Sequence, residues 1–312
     1  MNKTLTGFFI LFATTFCACS SDDDNKAFNP YKEQVKEEFY PTEITIHKEN
    51  SKNSVTESWQ LAYYGENRSK VEYTHTIKDI TMTNDGAIER EETSTEQGTL
   101  QYYPAGEQII NTIKYTKTGT DKNGTRSYSE ETIETATLAD GAIEYITRNT
   151  TRKDGNSEEL LSGEWLFEYT SEKCTEASYT DKNDDENNAT YIFDWNKKYK
   201  ITEIEAEDNN VRRTNIVYKY TYGDLSKDYG FNINAFLFNN IPAIYSALGY
   251  LGKTTPYELL AETQTTKEWK DNKWQEVFNG SDTKSFEFNQ ANGQINIYVT
   301  SDKYNIYYIN FK

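Results

Sequence analysis

Cysteine is scarce in this chain of 312 residues, which has three, and two of them, Cys17 and Cys19, lie close to the amino terminus. Only Cys174 lies in the body of the sequence. A single thiol cannot form an internal disulfide, so the fold has to be held by its apolar core and its hydrogen bonds. A small scaffold held together by disulfide bonds is thereby excluded.

Histidine is scarcer still, with only His47 and His75, and the common catalytic motifs are missing. The sequence contains no glycine-rich phosphate loop, no His-Glu-x-x-His and no Gly-x-Ser-x-Gly. Two histidines and one body thiol argue against a transition-metal centre or a Cys/His nucleophile pair. Both histidines fall in alternating segments, where we expect structural roles on a polar face. We therefore predict no metal, no cofactor, no catalytic residue and no enzymatic activity.

Positive charge is also in short supply, because 33 basic residues face 50 acidic ones and the formal net charge is −17. Nucleic-acid binding requires clustered lysine and arginine that displace counterions, so a nucleic acid is not an expected partner. With so many carboxylates, a pair at the spacing of a glycoside hydrolase can arise anywhere. A carboxylate-based hydrolase stays open as the least favoured alternative.

Long hydrophobic runs are nearly absent, and the amino terminus holds one of the few. Leu5–Phe16 is apolar, too short to span a bilayer, and typical of an export signal. The sequence FCAC that follows resembles the cleavage region of a bacterial lipoprotein, with Cys19 as the lipid acceptor because Ala18 precedes it. We predict that residues 1–18 are a lipoprotein signal peptide and that acylated Cys19, carrying palmitate-type chains, binds outer-membrane lipid. An ordinary secretory peptide cut nearby is the alternative.

The residues behind the predicted acceptor are acidic, namely Ser21, Asp22, Asp23 and Asp24. This run resembles the export signal of Bacteroidetes-type surface lipoproteins. It is equally typical of a solvated tether, because blocks of like charge stay disordered. We expect residues 19–40 to form an acidic tether and the protein to be lipid-anchored in the outer membrane, facing the cell exterior.

Period-two alternation begins at Thr42. Ile44 and Ile46 alternate with polar residues, and the same pattern returns at 216–222 and 294–299, which predicts half-buried strands. Pairs such as Asn-Gly and Asp-Gly between these segments tolerate the positive φ of tight hairpins. Short connections favour an antiparallel meander, because parallel pairs need long crossovers. We predict that 41–312 is a single, mainly β domain of about 14–18 strands, forming a large, strongly curved antiparallel sheet.

The predicted sheet is porin-like or an open barrel, and whether it closes is left open. A barrel inserted in a membrane needs one apolar face on every strand. Residues 125–137, TRSYSEETIETAT, offer polar groups on both faces. We therefore expect a sheet that is not inserted in the membrane and is partly wet on both sides.

One stretch, 229–252, carries no charge at all. Pro242 near its middle argues against a single long helix, since proline removes a backbone hydrogen bond and clashes with the preceding turn. We predict one or two short helices within 231–252, with an apolar face at Ile241, Ile244, Tyr245 and Leu248. The preferred interpretation is a plug that fills the concave side of the sheet. A helix that docks a partner and a membrane span are the alternatives.

The same stretch carries a family resemblance. NINAFLF at 232–238 and ALGYLGKTTPYEL at 247–259 resemble the central segment of a family of Bacteroidetes-type surface lipoproteins, and YPTEITI at 40–46 resembles its opening strand. That family is catalogued as a domain of unknown function with a porin-like fold. The resemblance covers roughly residues 40–312 and implies a large curved antiparallel sheet around short helices. It implies no activity and no functional residues.

Two further patterns bear on ligands. Trp269 and Trp274 flank a predicted two-residue turn, so we expect the indoles to oppose each other, where they either stack on a sugar ring or simply pack together. Asp181–Glu186 begins like a calcium loop, but Glu186 replaces the glycine that such a loop needs at its sixth position, so calcium binding there is left open.

These patterns leave three functional hypotheses. The first is a non-enzymatic surface lipoprotein that binds a glycan or a surface protein. The second is a structural or assembly component of the cell envelope, and the third is the carboxylate-based hydrolase. Exposed indoles on a concave face favour the first over the second, and two facing carboxylates in a pocket favour the third.

Overall fold

The structure is a computed structural model that describes residues 40–49, 53–65, 68–83, 85–154, 157–184, 188–196, 201–208, 214–226, 231–238, 241–253, 255, 257–289 and 291–301. The predicted signal peptide, Cys19, the export signal at Ser21–Asp24 and nearly all of the tether lie outside the described residues.

Fifteen strands make up most of the described chain, within the range that the sequence predicts. They are β1 Glu43–Glu49, β2 Asn53–Tyr64, β3 Lys70–Met82, β4 Ile88–Tyr103, β5 Gln108–Asp121, β6 Gly124–Ala139, β7 Ala142–Asp154, β8 Ser157–Thr170, β9 Lys173–Asp181, β10 Ala189–Trp195, β11 Ile201–Asp208, β12 Thr214–Ser226, β13 Tyr257–Lys270, β14 Lys273–Asn289 and β15 Gln294–Ser301. The helical elements are α1, Ala243–Ala247, and the 3-10 turns Pro104–Gly106 and Ile233–Phe236.

The strands form a ring in chain order. Each strand pairs antiparallel with the next, and β1 and β15 pair in parallel, with Ile44 opposite Ile295 and Ile46 opposite Ile297. In an up-and-down meander with an odd number of strands, the first and last strands run in the same direction, so the pair that closes the ring has to be parallel. The predicted curved antiparallel meander is confirmed. The parallel closing pair is a feature that the rule of short connections does not predict.

One end of the ring encloses an apolar core. The side chains that point inward there are buried, among them Trp59, Leu61, Val71, Leu100, Ile109, Ile143, Ile146, Phe167, Leu259 and Ile295. Residues 231–238 and 241–252, which we call the plug, fill the space between them. Phe231 to Phe238 are all buried, and Ile244 and Tyr245 of α1 are 5% and 0% exposed. The prediction of short helices on the concave side is confirmed.

The plug is joined to the wall by hydrogen bonds as well as by packing. Asn234 donates from Nδ2 to the Tyr257 carbonyl at 2.6 Å and accepts from the Leu259 backbone N–H at 3.0 Å, so its side chain pairs with β13 as another strand would. The backbone N–H of Ile143 donates to the Tyr250 carbonyl at 2.8 Å. These bonds satisfy polar groups that would otherwise be buried without partners.

The two ends of the ring differ. The plug contacts the wall at the start of β7 and of β13, so it occupies the end where Tyr40 enters β1; Tyr40 packs edge-on against Phe231 of the plug at 6.4 Å. Because consecutive strands alternate in direction, the turns at 83–87, 122–123 and 271–272 lie at the opposite end, which we call the mouth. Residues 125–129 of β6, close to the mouth, are exposed on both faces, in accord with their composition.

No helix within the described ranges is long and apolar enough to span a bilayer.

Candidate ligand-binding site

A cavity of about 650 Å³ opens on the mouth side of the barrel, between the ends of β4, β5, β6 and β7. We call it the cup. Most of its lining residues have polar or charged side chains, and the lining consists of Arg90, Glu92, Lys117, Gly119, Thr120, Asp121, Gly124, Arg126, Ser127, Tyr128 and Arg152. The volume lies within the range of about 300–1,000 Å³ that small-molecule sites occupy.

Strand register places most of this lining on the inner face. Tyr73 on β3 and Leu100 on β4 are buried in the core and point inward. Every second residue along β4 has the same orientation, so Glu92, which lies closer to the mouth, also points inward. Glu92 pairs with Gly119, and Gly119 pairs with Arg126, so these three residues form one row across three strands. Gly119 has no side chain, and the absent Cβ leaves a recess between the glutamate and the arginine.

Three of the four cations in the cup are held by carboxylates. Lys117 Nζ lies 3.2 Å from Glu92 Oε2, and Arg90 approaches Glu92 at 3.9 Å and Asp79 at 3.6 Å. One step deeper, Arg152 Nε donates to Glu130 Oε1 at 2.7 Å, and its Nη1 donates to Glu159 at 3.3 Å.

Arg126 is different. Among the residues that the structure describes, no carboxylate, hydrogen-bond acceptor or aromatic ring engages its guanidinium. Arg126 is exposed and lines the cup beside the recess at Gly119. A guanidinium presents five donors in a planar fork that matches a carboxylate, so this side chain is free to take an external oxyanion.

Tyr128 provides the apolar surface of the cup. It lies two residues before Glu130 and two after Arg126 on β6, so all three share the inner face. Its ring is 5.9 Å from the ring of Tyr115 on β5, which supports it from below, and its side chain remains 37% exposed. Burial is the main cause that raises the pKa of Tyr115, and the phenol of Tyr115 therefore stays neutral.

His75 and Glu57 form a partly buried pair on the inner face of the barrel. His75 Nε2 lies 2.9 Å from Glu57 Oε1, and its ring stacks on Trp59 at 3.7 Å. Burial alone would raise the pKa of Glu57, but the hydrogen bond from His75 and the charge of Lys48 lower it to about 2. The side chain of His75, for which we expect a structural role, therefore lies on the inner face of the barrel. His47 stacks on Tyr298 at 5.3 Å, outside the core.

A second buried network lies beside the closing pair of strands. Lys284 contacts Asp282, and its Nζ lies 3.9 Å from Glu262 Oε2. Burial raises the pKa of Glu262 to about 7, despite the opposing charge of Lys284. Lys48 on β1 and Lys284 on β14 both face Val299 of β15, so these charges flank the strand that closes the ring.

The predicted tryptophan pair lies elsewhere. Trp269 and Trp274 are paired across the turn Asp271–Asn272, with ring centroids 5.5 Å apart and edge-on geometry, so the predicted opposition is confirmed. Trp269 lies three residues beyond the buried Thr266 on β13, and alternation puts it on the opposite, outer face. The pair therefore lies on the rim of the mouth, outside the cup, and its stacking on a ligand stays a prediction.

In the predicted calcium loop, the carboxylate of Asp181 binds backbone groups of the loop itself. Asp181 Oδ1 accepts the backbone N–H groups of Asn183 at 2.8 Å and Asp184 at 3.1 Å, which is an Asx turn. Residues 185–187 lie outside the described residues. Within the described chain, no group of three or more histidine, cysteine and acidic residues is arranged to hold a metal ion.

The body thiol is buried in the core. Cys174 is 5% exposed and unpaired, and burial raises its pKa to about 12. Its sulfur donates weakly to the Glu176 carbonyl at 3.4 Å. The structure places this thiol on β9, away from the cup.

The residues of the cup were not among the sequence-predicted site residues. Arg126 and Tyr128 lie in a segment that reads as polar on both faces, so alternation does not show which side points inward. The available signal was chemical, because Arg126 and Arg152 are two of the few arginines in an acidic chain.

Comparison with known proteins yields a distant structural similarity. No protein-family model matches the sequence, and no curated protein matches it either. Among solved structures, the chain is similar to a porin-like protein from Bacteroides uniformis ATCC 8492, at 12% identity over 80% of this chain and 94% of that chain, with a TM-score of 0.33. A likeness with this TM-score carries no argument, and the barrel rests on the strand pairing alone. The family resemblance at 232–259 stays a prediction.

Proposed function

We propose that this protein is a non-enzymatic surface lipoprotein that binds a small glycan in the cup. The observation that carries the proposal is the asymmetry of the barrel interior. One end is filled by the plug, and the other opens into a cavity of about 650 Å³ lined by charged side chains and an exposed tyrosine. A polar cavity with an aromatic surface suits a sugar, because hydroxyl groups find hydrogen-bond partners and the ring face packs on Tyr128.

The carboxylates of the cup favour binding over hydrolysis. Glu92 is held by Lys117 and Arg90, and Asp121 accepts the backbone N–H of Asn123 at 2.6 Å. A glycoside hydrolase needs one carboxylic acid that keeps a proton near neutral pH and a second carboxylate facing it across the bond. In the cup, Glu92 and Asp121 are instead engaged by these partners within the protein.

The predicted lipid anchor at Cys19 is compatible with a cup that is accessible to a ligand. Tyr40, the first described residue, lies at the plugged end and packs on Tyr63 at 5.3 Å. Tyr40 therefore lies at the end of the barrel opposite the mouth. In the proposed arrangement Cys19 binds the outer membrane through its acyl chains, and the mouth remains accessible from the exterior.

Filling the recess at Gly119 tests the binding proposal. The expected result is that the full mature protein, purified in detergent, binds glycans on an array and that Gly119→Trp loses this binding. A Cβ at Gly119 would meet Glu92 Cγ at 3.4 Å, so the backbone tolerates a side chain there and the indole projects into the cup. Thr118→Trp, on the exposed face of the same strand, is the matched control and retains binding. Unchanged binding by Gly119→Trp, or no bound glycan at all, would refute the proposal.

The anchor has its own test. Cells fed an alkyne-tagged palmitate should label the wild-type protein and the Cys174→Ala variant, which keeps the acceptor thiol. Cys19→Ala should carry no label and should remain at the mass of the uncleaved chain. Labelling that persists in Cys19→Ala would show that the lipid is attached elsewhere or that the predicted processing site is wrong.

A further inference from the structure

We infer that the ligand of the cup is a monoanionic sugar, a pyranose whose ring carries one carboxylate, which binds Arg126 and packs on Tyr128. This inference rests on the proposed function and narrows it from glycans in general to uronic acids.

The first support is the state of Arg126. The other three cations of the cup, Arg90, Lys117 and Arg152, each have carboxylates within 4 Å, whereas Arg126 has none among the described residues. A carboxylate that binds the fork of a guanidinium makes two parallel, charge-assisted hydrogen bonds, which are about twice as strong as neutral ones. A neutral sugar cannot make this pair of bonds.

The second support is spacing. Arg126 and Tyr128 are consecutive residues on the inner face of β6, so their Cα atoms lie about 6.6 Å apart. A carboxylate attached directly to a pyranose, together with the hydrogen bond that it makes to a guanidinium, spans a comparable length from the ring centre. The ring can therefore lie against Tyr128 while its carboxylate reaches Arg126. The recess at Gly119, in the same row as Arg126, leaves room for the ligand atoms between them.

The third support concerns the number of charges. The chain carries a formal net charge of −17, and Glu92, Glu130 and Asp121 lie close to the cup. One unpaired guanidinium neutralises one anionic group. Each further negative charge on the ligand would meet these carboxylates and the overall negative field, which disfavours polyanions. A ligand with one carboxylate matches the cup better than a sulfated or phosphorylated polymer does.

Calorimetric titration of the full mature protein tests the charge requirement. The probes are the methyl glycosides of galacturonic and glucuronic acid and their neutral counterparts, methyl galactoside and methyl glucoside. We expect at least one acidic glycoside to bind about tenfold or more tightly than its neutral counterpart, because charge-assisted hydrogen bonds replace neutral ones. Arg126→Gln should remove this preference, and Arg126→Lys should keep only part of it, because an ammonium cannot make the bidentate pair.

Lys114→Gln is the control variant, since Lys114 is an exposed cation on the outer face of β5 and its loss changes the net charge equally. It should bind like the wild type. Equal affinity for acidic and neutral glycosides, or an acidic preference that survives in Arg126→Gln, would overturn the inference while leaving glycan binding in the cup intact. If array glycans bind and are lost in Gly119→Trp but no acidic glycoside binds, only the inference fails. If the array shows no glycan, both fail.

Discussion

Ile244→Asp is expected to prevent the protein from folding. Ile244 lies on α1 and is 5% exposed within the apolar core that the plug forms with the barrel wall. The substitution removes the transfer free energy of a buried isoleucine and places a carboxylate where the described surroundings are apolar, so we expect a cost above about 4 kcal/mol. Since domains are stable by only about 5–15 kcal/mol, soluble expression and the near-ultraviolet circular dichroism signal should be lost or strongly reduced.

The same substitution on the outer face of the barrel separates the effect of burial from the effect of introducing a carboxylate. Ile133 on β6 is 52% exposed and points away from the interior, between the buried Thr132 and Glu134. Ile133→Asp should cost about 1 kcal/mol or less, mostly through lost strand propensity. Ile244→Val should lower the free energy of unfolding by about 1 kcal/mol. This loss can be measured even if the aspartate variant does not accumulate. Normal expression and an unchanged melting temperature of Ile244→Asp would show that the plug does not form the core.

The position of the plug in the interior was predictable because the composition of this stretch alone indicates it. A stretch without charge in an otherwise charged chain has few places to lie other than the interior, and Pro242 rules out one long helix. In the structure Pro242 stands directly before α1 as its N-cap. The barrel around the plug was predictable for a similar reason. Alternation at Ile216, Tyr218, Tyr220 and Tyr222 marks one face of β12, and all four side chains are buried.

Local pairing was also predictable, but the face on which it occurs was not. Asp271 and Asn272 have φ values of 53° and 59°, as a two-residue hairpin turn requires, and this turn alone sets Trp269 opposite Trp274. Which face the indoles occupy depends on the register of β13 with β12 as far away as Leu259. Nothing in the sequence around the turn carries that information.

The cup lies beyond sequence reasoning because it is assembled from four strands by long-range register. Glu92, Gly119 and Arg126 form one row only because β4, β5 and β6 pair in one register out of several. A polar strand gives no burial signal that would distinguish the inner from the outer face. The charged interior of the barrel gives no sequence signal for the same reason, because the partly buried His75 and Glu57 lie in the same alternating pattern that an exposed pair would show.

The largest electrostatic effect is expected at the bond between the plug and the wall. Glu134 on β6 is 5% exposed, and its Oε2 accepts from Tyr245 Oη of α1 at 2.9 Å and from Asn111 Nδ2 at 3.2 Å. Its Oε1 lies 3.4 Å from Arg148 Nη1, and the Arg148 side chain is 34% exposed. Burial raises the pKa of Glu134, and the charge of Arg148 opposes that increase while the nearby Glu96 adds to it.

Arg148→Met should therefore destabilise the protein by about 3 kcal/mol at pH 8, because it leaves a buried carboxylate without its counter-charge. A carboxyl whose pKa is higher in the folded than in the unfolded state contributes most stability when it is protonated, below its unfolded pKa. That contribution is lost as the pH rises through the folded pKa. The cost of Arg148→Met, measured as the difference from wild type in urea unfolding at each pH, should fall as the pH is lowered from 8 toward 5.

A double-mutant cycle isolates the pair. Glu134→Gln removes the charge but keeps an oxygen that accepts from Tyr245, so alone it should cost little, since the partly exposed Arg148 can be hydrated by water. In Glu134→Gln/Arg148→Met the buried charge is absent, and the double variant should recover most of the stability lost in Arg148→Met. Its stability relative to Glu134→Gln should not depend on pH between 5 and 8. If the double variant is as unstable as Arg148→Met, the arginine acts through packing of its aliphatic stem, and the plug does not depend on neutralisation of Glu134.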